Sequence, residues 1–197
     1  MPQVSALKTQ LREAVRARIL DAAEELIAAR GLHGAGLAQI ARNAGVAVGT
    51  LYNYFEDRDA MIRALFETRR AVLRPKLLAA AANGQSLKFE PRLRQFVRDV
   101  LATCDEHRRF LRVAIEAEHL KLTSPPTTPN DLTGAIDTIV QAGVAERAID
   151  PKRAAVLVTV IAGAVRGVAH RRAIEGSDFE ADADTIVSIF LDGARRR

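Results

Sequence analysis

The chain is predicted to be all-α, with an N-terminal three-helix helix-turn-helix domain and a larger helical domain, about nine helices in all. Three observations carry this. Apolar residues recur at helical spacing along most of the 197 residues, and no segment reads convincingly as a strand. Helix start and stop residues punctuate the pattern, among them Gly31, Gly45, Asp150-Pro151 and Gly176. Residues 37–58, LAQIARNAGVAVGTLYNYFEDR, read as two short helices joined by a tight turn, the geometry that presents one helix to a DNA groove.

Taken in order, a first helix at about 10–30 places Val15, Ile19, Ala22, Leu26 and Ala29 on one face, and Gly31 closes it. The first short helix, about 37–44, gathers Leu37, Ile40, Ala41 and Ala44 on one face. Gly45 follows, where the left-handed C′ conformation favours glycine. The second, about 48–54, buries Leu51 and Phe55 and turns Val48, Gly49, Thr50, Tyr52 and Asn53 outward. Two small positions, a hydroxyl, a phenol and an amide pack a core poorly but suit phosphates and base edges.

A fourth helix begins after Asp57 and runs to about 81, with Pro75 predicting a kink or break. Asn83-Gly84-Gln85-Ser86 is a turn. Helices follow at about 88–106 and 108–122, then TSPPTTPN at 123–130 reads as a loop. A seventh helix spans Asp131 to about Ala142. Asp150-Pro151 opens an eighth that reaches Glu175, with Gly176 at C′. Ser177 to Glu180 has the capping-box form that opens the last helix. Acidic residues at 178, 180, 182 and 184 and arginines at 195–197 complement its macrodipole.

Composition bounds the function. Apolar content of 48% and charged content of 27% are ordinary for a soluble globular chain. No uninterrupted apolar run approaches the roughly 18 residues of a membrane span, and the first residues hold no apolar h-region, so no membrane partner and no secretory leader are expected. A single cysteine, Cys104, excludes an intramolecular disulfide and fits a reducing cytoplasm. A net charge of +5 is compatible with nucleic acid. Residues 1–75 carry eleven cations against eight carboxylates, so placement of the arginines matters more than bulk charge.

The stretch AAVLVTVIAGAV, between Arg153 and Arg166, has twelve residues without a charge. A helix apolar all round must be covered on every side. One face packs on the chain's own core, and a second copy of the chain is the economical cover for the other. Gly163 and Gly167, four apart, allow close helix approach. Val156, Val160, Gly163, Gly167 and, on the last helix, Phe190 are the expected homodimer interface.

Residues 16–65 resemble the DNA-binding domain of the tetracycline-repressor (TetR) family of bacterial transcription regulators. The resemblance rests on Ile40-Ala41, Ala44-Gly45-Val46, Gly49-Thr50-Leu51-Tyr52, Tyr54-Phe55, a basic residue at 58 and an apolar one at 62. It implies a helix-turn-helix domain at about 10–56 on a ligand-binding and dimerisation domain at 57–197, a four-helix dimer bundle, and a palindromic double-stranded operator. Three departures stand out. Gly36 and Ala47 replace side-chain helix caps, and Ala38 and Val48 replace polar or basic residues, so DNA contacts at 38 and 48 do not carry over.

The expected DNA-contacting residues are Gln39, Gly49, Thr50, Tyr52, Asn53, Tyr54 and Arg58. Gln39 and Asn53 read base edges or are merely solvated, and Arg58 holds a phosphate or pairs with Asp57 or Glu56. Tyr54 lies toward the buried side of its helix. Lys8, Arg12, Arg16 and Arg18 form either a basic arm or a solvated face. In the larger domain Thr103, His107, Phe110, Arg112, Glu116, His119 and Thr159 are the candidate ligand-binding residues, suited to a mainly apolar small organic effector with one polar end. The plain alternative is that most of them face water and Arg112 pairs with Glu116 four residues on. Glu116 and His119 form an E-x-x-H without the second E-x-x-H that di-iron bundles use, and Cys104 with His107 reads as a buried thiol beside an ordinary histidine. No catalytic residue, metal site or cofactor is expected. A ligand-responsive dimeric repressor is therefore predicted, with the fourth helix as lever. The rivals are a constitutive DNA-binding protein and an all-helical metal-carboxylate enzyme.

Overall fold

The computed structural model describes residues 2–119, 129–175 and 179–194. Among them the chain forms nine α-helices and one 3-10 turn: α1 (Pro2–Gly34), α2 (Leu37–Asn43), α3 (Val48–Tyr52), α4 (Arg58–Ala82), α5 (Phe89–Glu106), α6 (Arg108–His119), α7 (Pro129–Ala145), the turn Pro151–Arg153, α8 (Ala154–Glu175) and α9 (Phe179–Ala194). Two compact units result. One holds α1 to α3, α4 as far as Arg69, and α6 from Val113; the other holds α4 from Arg70, α5, the start of α6, and α7 to α9.

Most expected boundaries fall within a few residues, and the differences have local causes. Helix α1 starts at Pro2, well before residue 10, because nothing from 2 to 9 interrupts helical geometry and proline suits a first helical position. Its helical backbone stops at Gly31 (φ 78°, ψ 165°) before a final turn to Gly34. Of the kink or break expected at Pro75, the break is absent: α4 runs through it. Proline has no N–H to donate to the Ala71 carbonyl, and both residues lie on the exposed side of the helix, away from the core. Asp150-Pro151 opens the 3-10 turn ahead of α8, with Asp150 Oδ1 accepting from Lys152 N–H at 3.0 Å. Helix α7 continues to Ala145, beyond residue 142, and is closed by Arg147 at φ 60°. The N–H groups of Arg147 and Ala148 there donate to the carbonyls of Val144 and Gly143. The predicted loop 123–130 up to residue 128, the Gly176 and Ser177-Asp178 caps, and the arginines at 195–197 lie outside the described residues.

In the first unit, Ile19, Leu20, Ala23, Leu26 and Ile27 of α1 are buried together with Ile40 and Ala41, Leu51 and Phe55, and Met61, Ile62, Leu65 and Phe66 of α4. Ala29 of the expected α1 face is exposed, and Leu20, Ala23 and Ile27 widen that face instead. Arg69 of α4 ties back to α1, donating to Asp21 and to the buried Glu24, both at 2.5 Å.

In the second unit, α5, α7, α8 and α9 share one core built on Phe89, Phe96, Val97, Ile136, Ile139, Ile161 and Val187. Helix α8 with its preceding turn is long and apolar enough to cross a membrane by length and composition, but its Leu157, Val158, Ile161 and Val165 face this core. Asp182 and Asp184, in the early turns of α9, make ion pairs rather than serving the helix dipole alone. Asp182 accepts from the buried Arg172 at 2.6 Å and from Arg171 at 3.1 Å, while Asp184 accepts from Arg98 at 2.9 Å and from Arg94 at 3.3 Å.

Two outcomes follow from this packing. A Cβ on Gly143 would meet the Phe89 ring at 2.6 Å, and that ring is fully enclosed. Gly143→Ala should therefore lower stability by about 1–3 kcal/mol through overpacking, and unfolding at wild-type denaturant concentration would contradict the close contact. Arg98, helped by Arg94, holds the Asp184 carboxyl below its usual range against some desolvation. A pKa lowered by folding gives stability that is present above the ordinary Asp value of about 3.9 and is lost as pH falls below that value through the lowered folded one. Thermal unfolding of Asp184→Asn should lie below wild type at pH 7 and converge with it under strong acid; a gap independent of pH would contradict the tie.

Candidate nucleic-acid interface

A helix of five residues has no stability of its own, since isolated helices shorter than about 12–15 residues are marginal in water. Side-chain caps do not rescue α3, whose N-cap Ala47 is extended (φ −69°, ψ 149°) and makes no side-chain bond. Its placement comes from below. Leu51 is fully buried and Phe55 nearly so. The guanidinium of Arg16 lies 5.7 Å from the Phe55 ring centre and donates to Thr68 Oγ1 at 3.4 Å. The turn ahead of α3 is held from α1, where Arg18 donates to the Ala44 carbonyl at 2.5 Å. Gly45 takes φ 66°, and a Cβ there would sit 2.8 Å from the Arg18 guanidinium, so conformation and space both favour glycine.

Rolling Leu51 and Phe55 inward turns the opposite face out. Val48, Gly49, Tyr52 and Asn53 are exposed, Tyr52 by 51%, and Thr50 is half-buried. Nothing lies within 4 Å of a Cβ on Gly49, so this face stands open. Tyr54 is half-buried under the Arg12 guanidinium, 5.8 Å from its ring centre. Gln39 of α2 is half-buried, and its Oε1 accepts from Arg30 at 2.9 Å. That bond fixes the amide so that its NH2 group is the end left to donate outward. Arg58, at the start of α4, is half-buried with its NH2 nitrogen enclosed and without a hydrogen-bond partner. Asp57, one of its expected ion-pair partners, caps α4 instead by accepting from Ala60 N–H at 2.6 Å.

The candidate ligand residues are more dispersed. Thr103 is half-buried and its hydroxyl donates to the Asp99 carbonyl at 2.8 Å. His107 caps the end of α5 and is half-buried, and Phe110 is fully buried. Arg112 and Thr159 are exposed, with the Thr159 hydroxyl donating to the Ala155 carbonyl at 3.2 Å. Thr159 shares the outer face of α8 with Val156, Val160, Gly163 and Gly167, all exposed. Phe190 of α9 is partly buried against the core. His119 ends α6, and its side chain lies outside the described residues. Among the described residues no group of three His, Cys, Asp or Glu side chains is placed to hold a metal ion. Burial, and secondarily Asp105, push the Cys104 thiol up to about 12.

Glu116 has a role that its sequence neighbourhood does not show. Its Oε1 accepts from Leu32 N–H at 2.7 Å, across 84 residues, at the point where α1 breaks at Gly31. The carboxylate serves a backbone donor at the foot of the helix-turn-helix rather than the expected partner four residues earlier on its own helix. Helix pattern alone carries no signal for such a bond.

The absent cap on α3 gives a direct test. Replacing Ala by a capping side chain recovers about 0.5–2 kcal/mol where the backbone is already extended, as at Ala47. Ala47→Ser should raise the unfolding midpoint; an unchanged or lower midpoint would mean that the α3 N-terminus is not arranged as described.

Comparison with known proteins agrees with this geometry. The family described as bacterial regulatory proteins, tetR family, matches residues 19–65. The HTH-type transcriptional regulator BetI of Paraburkholderia phytofirmans is 36% identical over 85 residues, which cover 43% of this chain and 42% of that protein. The chain thus matches under half the length of this curated relative. Two solved structures share the fold over nearly the whole chain. A TetR-like transcriptional regulator from Rhodococcus sp. RHA1 has a TM-score of 0.73 at 22% identity, covering 91% of this chain and 94% of its own. The regulator FadR from Bacillus subtilis, in complex with stearoyl-CoA, has a TM-score of 0.67 at 19% identity, covering 91% and 99%. Residues 19–65 thus match the tetR family of bacterial regulatory proteins, and the all-helical fold of the chain is similar to that of solved TetR-like regulators.

Proposed function

We propose that the chain is a dimeric, ligand-responsive transcription regulator that represses from a palindromic operator in the bacterial cytoplasm and is released by a small organic effector. The observation that carries the reading is the roll of α3. Leu51 and Phe55 are buried while Gly49, Tyr52 and Asn53 stand exposed, with Thr50 at their edge. Such a face meets phosphates and base edges, and Arg58 adds a cation beside it. The amide of Gln39, oriented by Arg30, donates to acceptors.

Dimerisation is supported by α8. Val156 is 66% exposed and Val160 43%, and neither Gly163 nor Gly167 has anything within 4 Å of a Cβ position. This apolar strip with two flat glycines suits a second copy of itself, and a two-fold dimer sets two α3 helices for successive major grooves about 34–36 Å apart. For the effector, FadR, a regulator of the same fold, is in complex with stearoyl-CoA. A mainly apolar molecule with one polar or ionic end is the chemistry expected of the ligand here, and an acyl-CoA is one such molecule, so stearoyl-CoA is the first effector to test. The second reading, a regulator with no effector, draws on the outward position of Arg112 and Thr159.

Selection of genomic fragments by the purified protein tests the DNA reading. The expected result is enrichment of pseudo-palindromic duplexes, with affinity weakened in Tyr52→Ala and Thr50→Ala while folding is kept; no duplex preference at low salt would overturn it. Sedimentation should show a dimer that Val160→Glu splits or unfolds, because burying an unpaired charge costs about 3–5 kcal/mol. A folded wild-type monomer at micromolar concentration would overturn the dimer. Stearoyl-CoA should loosen binding to the selected fragment about 5- to 150-fold, the range of a coupling of about 1–3 kcal/mol. Affinity unchanged by this and other acyl ligands would leave the effector-free reading.

A further inference from the structure

Helix α1 begins at Pro2, whereas the family match begins at residue 19. The stretch from 6 to 18 holds four cations, Lys8, Arg12, Arg16 and Arg18, against one carboxylate, Glu13. The structure divides these four by use. Arg18, though exposed, holds the Ala44 carbonyl, and the half-buried Arg16 lies over Phe55 and reaches Thr68, so both brace the helix-turn-helix. Arg12 is exposed but not loose, since its guanidinium lies over the Tyr54 ring, immediately after Tyr52 and Asn53 on the outward face of α3. Lys8 stands one helical turn earlier, about 6 Å along the axis, and is also exposed.

We propose that the first turns of α1 are a second DNA-contact element, in which Lys8 and Arg12 hold duplex phosphates flanking the groove that α3 enters. The proposal rests on the DNA-binding reading and deepens it. Stacking on an aromatic face fixes the plane of a guanidinium and leaves its N–H edge to donate. Tyr54 thus orients Arg12 beside the reading face, and the i, i+4 spacing brings Lys8 onto the same side of the helix. A basic row continuous with an exposed reading face matches the charge of a phosphate backbone. Because the row is already helical, binding does not have to order a tail. Phosphates position a protein on the duplex without reading sequence, so Lys8 and Arg12 contribute affinity on any DNA.

The test is a salt titration of full-length protein on a random-sequence duplex of about 40 base pairs, followed by fluorescence anisotropy at salt on the order of 50 to 200 mM. Each phosphate contact contributes about 0.9 to the slope of log affinity against log salt. Lys8→Ala and Arg12→Ala should each make that slope shallower by about 0.9 for every copy bound, and Lys8→Arg should restore it. Lys8→Ala is the decisive variant, because an exposed lysine on a helix surface can become alanine without disturbing the fold. Normal wild-type binding with the slope unchanged in Lys8→Ala would overturn the proposal and leave the DNA reading intact. A loss confined to Arg12→Ala would also overturn it, reducing Arg12 to a support for Tyr54. A wild-type chain that binds no duplex would overturn the DNA reading itself.

Discussion

Everything about the outward face of α3 depends on the burial of Leu51 and Phe55. The helix is five residues long, lacks a side-chain cap, and has too few turns to persist alone. Two apolar anchors four residues apart fix its position and also its roll about its own axis, since a helix pinned along one line cannot rotate. Gly45 and the Arg18 bond to Ala44 then fix where the chain enters. The residues that meet solvent are set by the core beneath them, and the exposure of Gly49, Tyr52 and Asn53 follows from it.

The same logic, with a different outcome, governs α8. Its inner line of Leu157, Ile161 and Val165 is consumed by the chain's own core, while Val156 and Val160 on the outer line remain in water. A helix apolar on both sides is stable in a single copy only at the cost of exposed apolar surface. An uncharged stretch of twelve residues makes this visible before any coordinates. Thr159, read from the sequence as a candidate ligand-binding residue, stands exposed on this outer line beside Val156 and Val160.

Much of the fold was legible because it depends on local chemistry. Helical periodicity located the nine helices, and Gly31, Gly45 and Asp150 act where a stop, a left-handed turn and an N-cap were expected. The misses share a cause. Arg147 closes α7 in a left-handed conformation that glycine usually marks, so no sequence signal announced it. Pro75 was read as a kink or a break, and the helix continues through it without a break. The carboxylate of Glu116 on Leu32 N–H, the guanidinium of Arg30 on Gln39 and that of Arg12 over Tyr54 join residues from different helices. Such bonds depend on three-dimensional placement, which periodicity does not encode. In the candidate interface, residue types and their outward face were legible, whereas the side chains that hold them in place were not.

If α3 is a reading helix and α8 the seam between two copies, two α3 helices must meet one face of a duplex at a separation fixed by the DNA. Hydroxyl-radical footprinting on a selected genomic fragment measures that separation directly. That reading predicts two protected segments on the same face, centred about 10–10.5 base pairs apart or a small multiple of that, each weakened when Tyr52 is replaced. A single protected block, or protection indifferent to Tyr52, would contradict it.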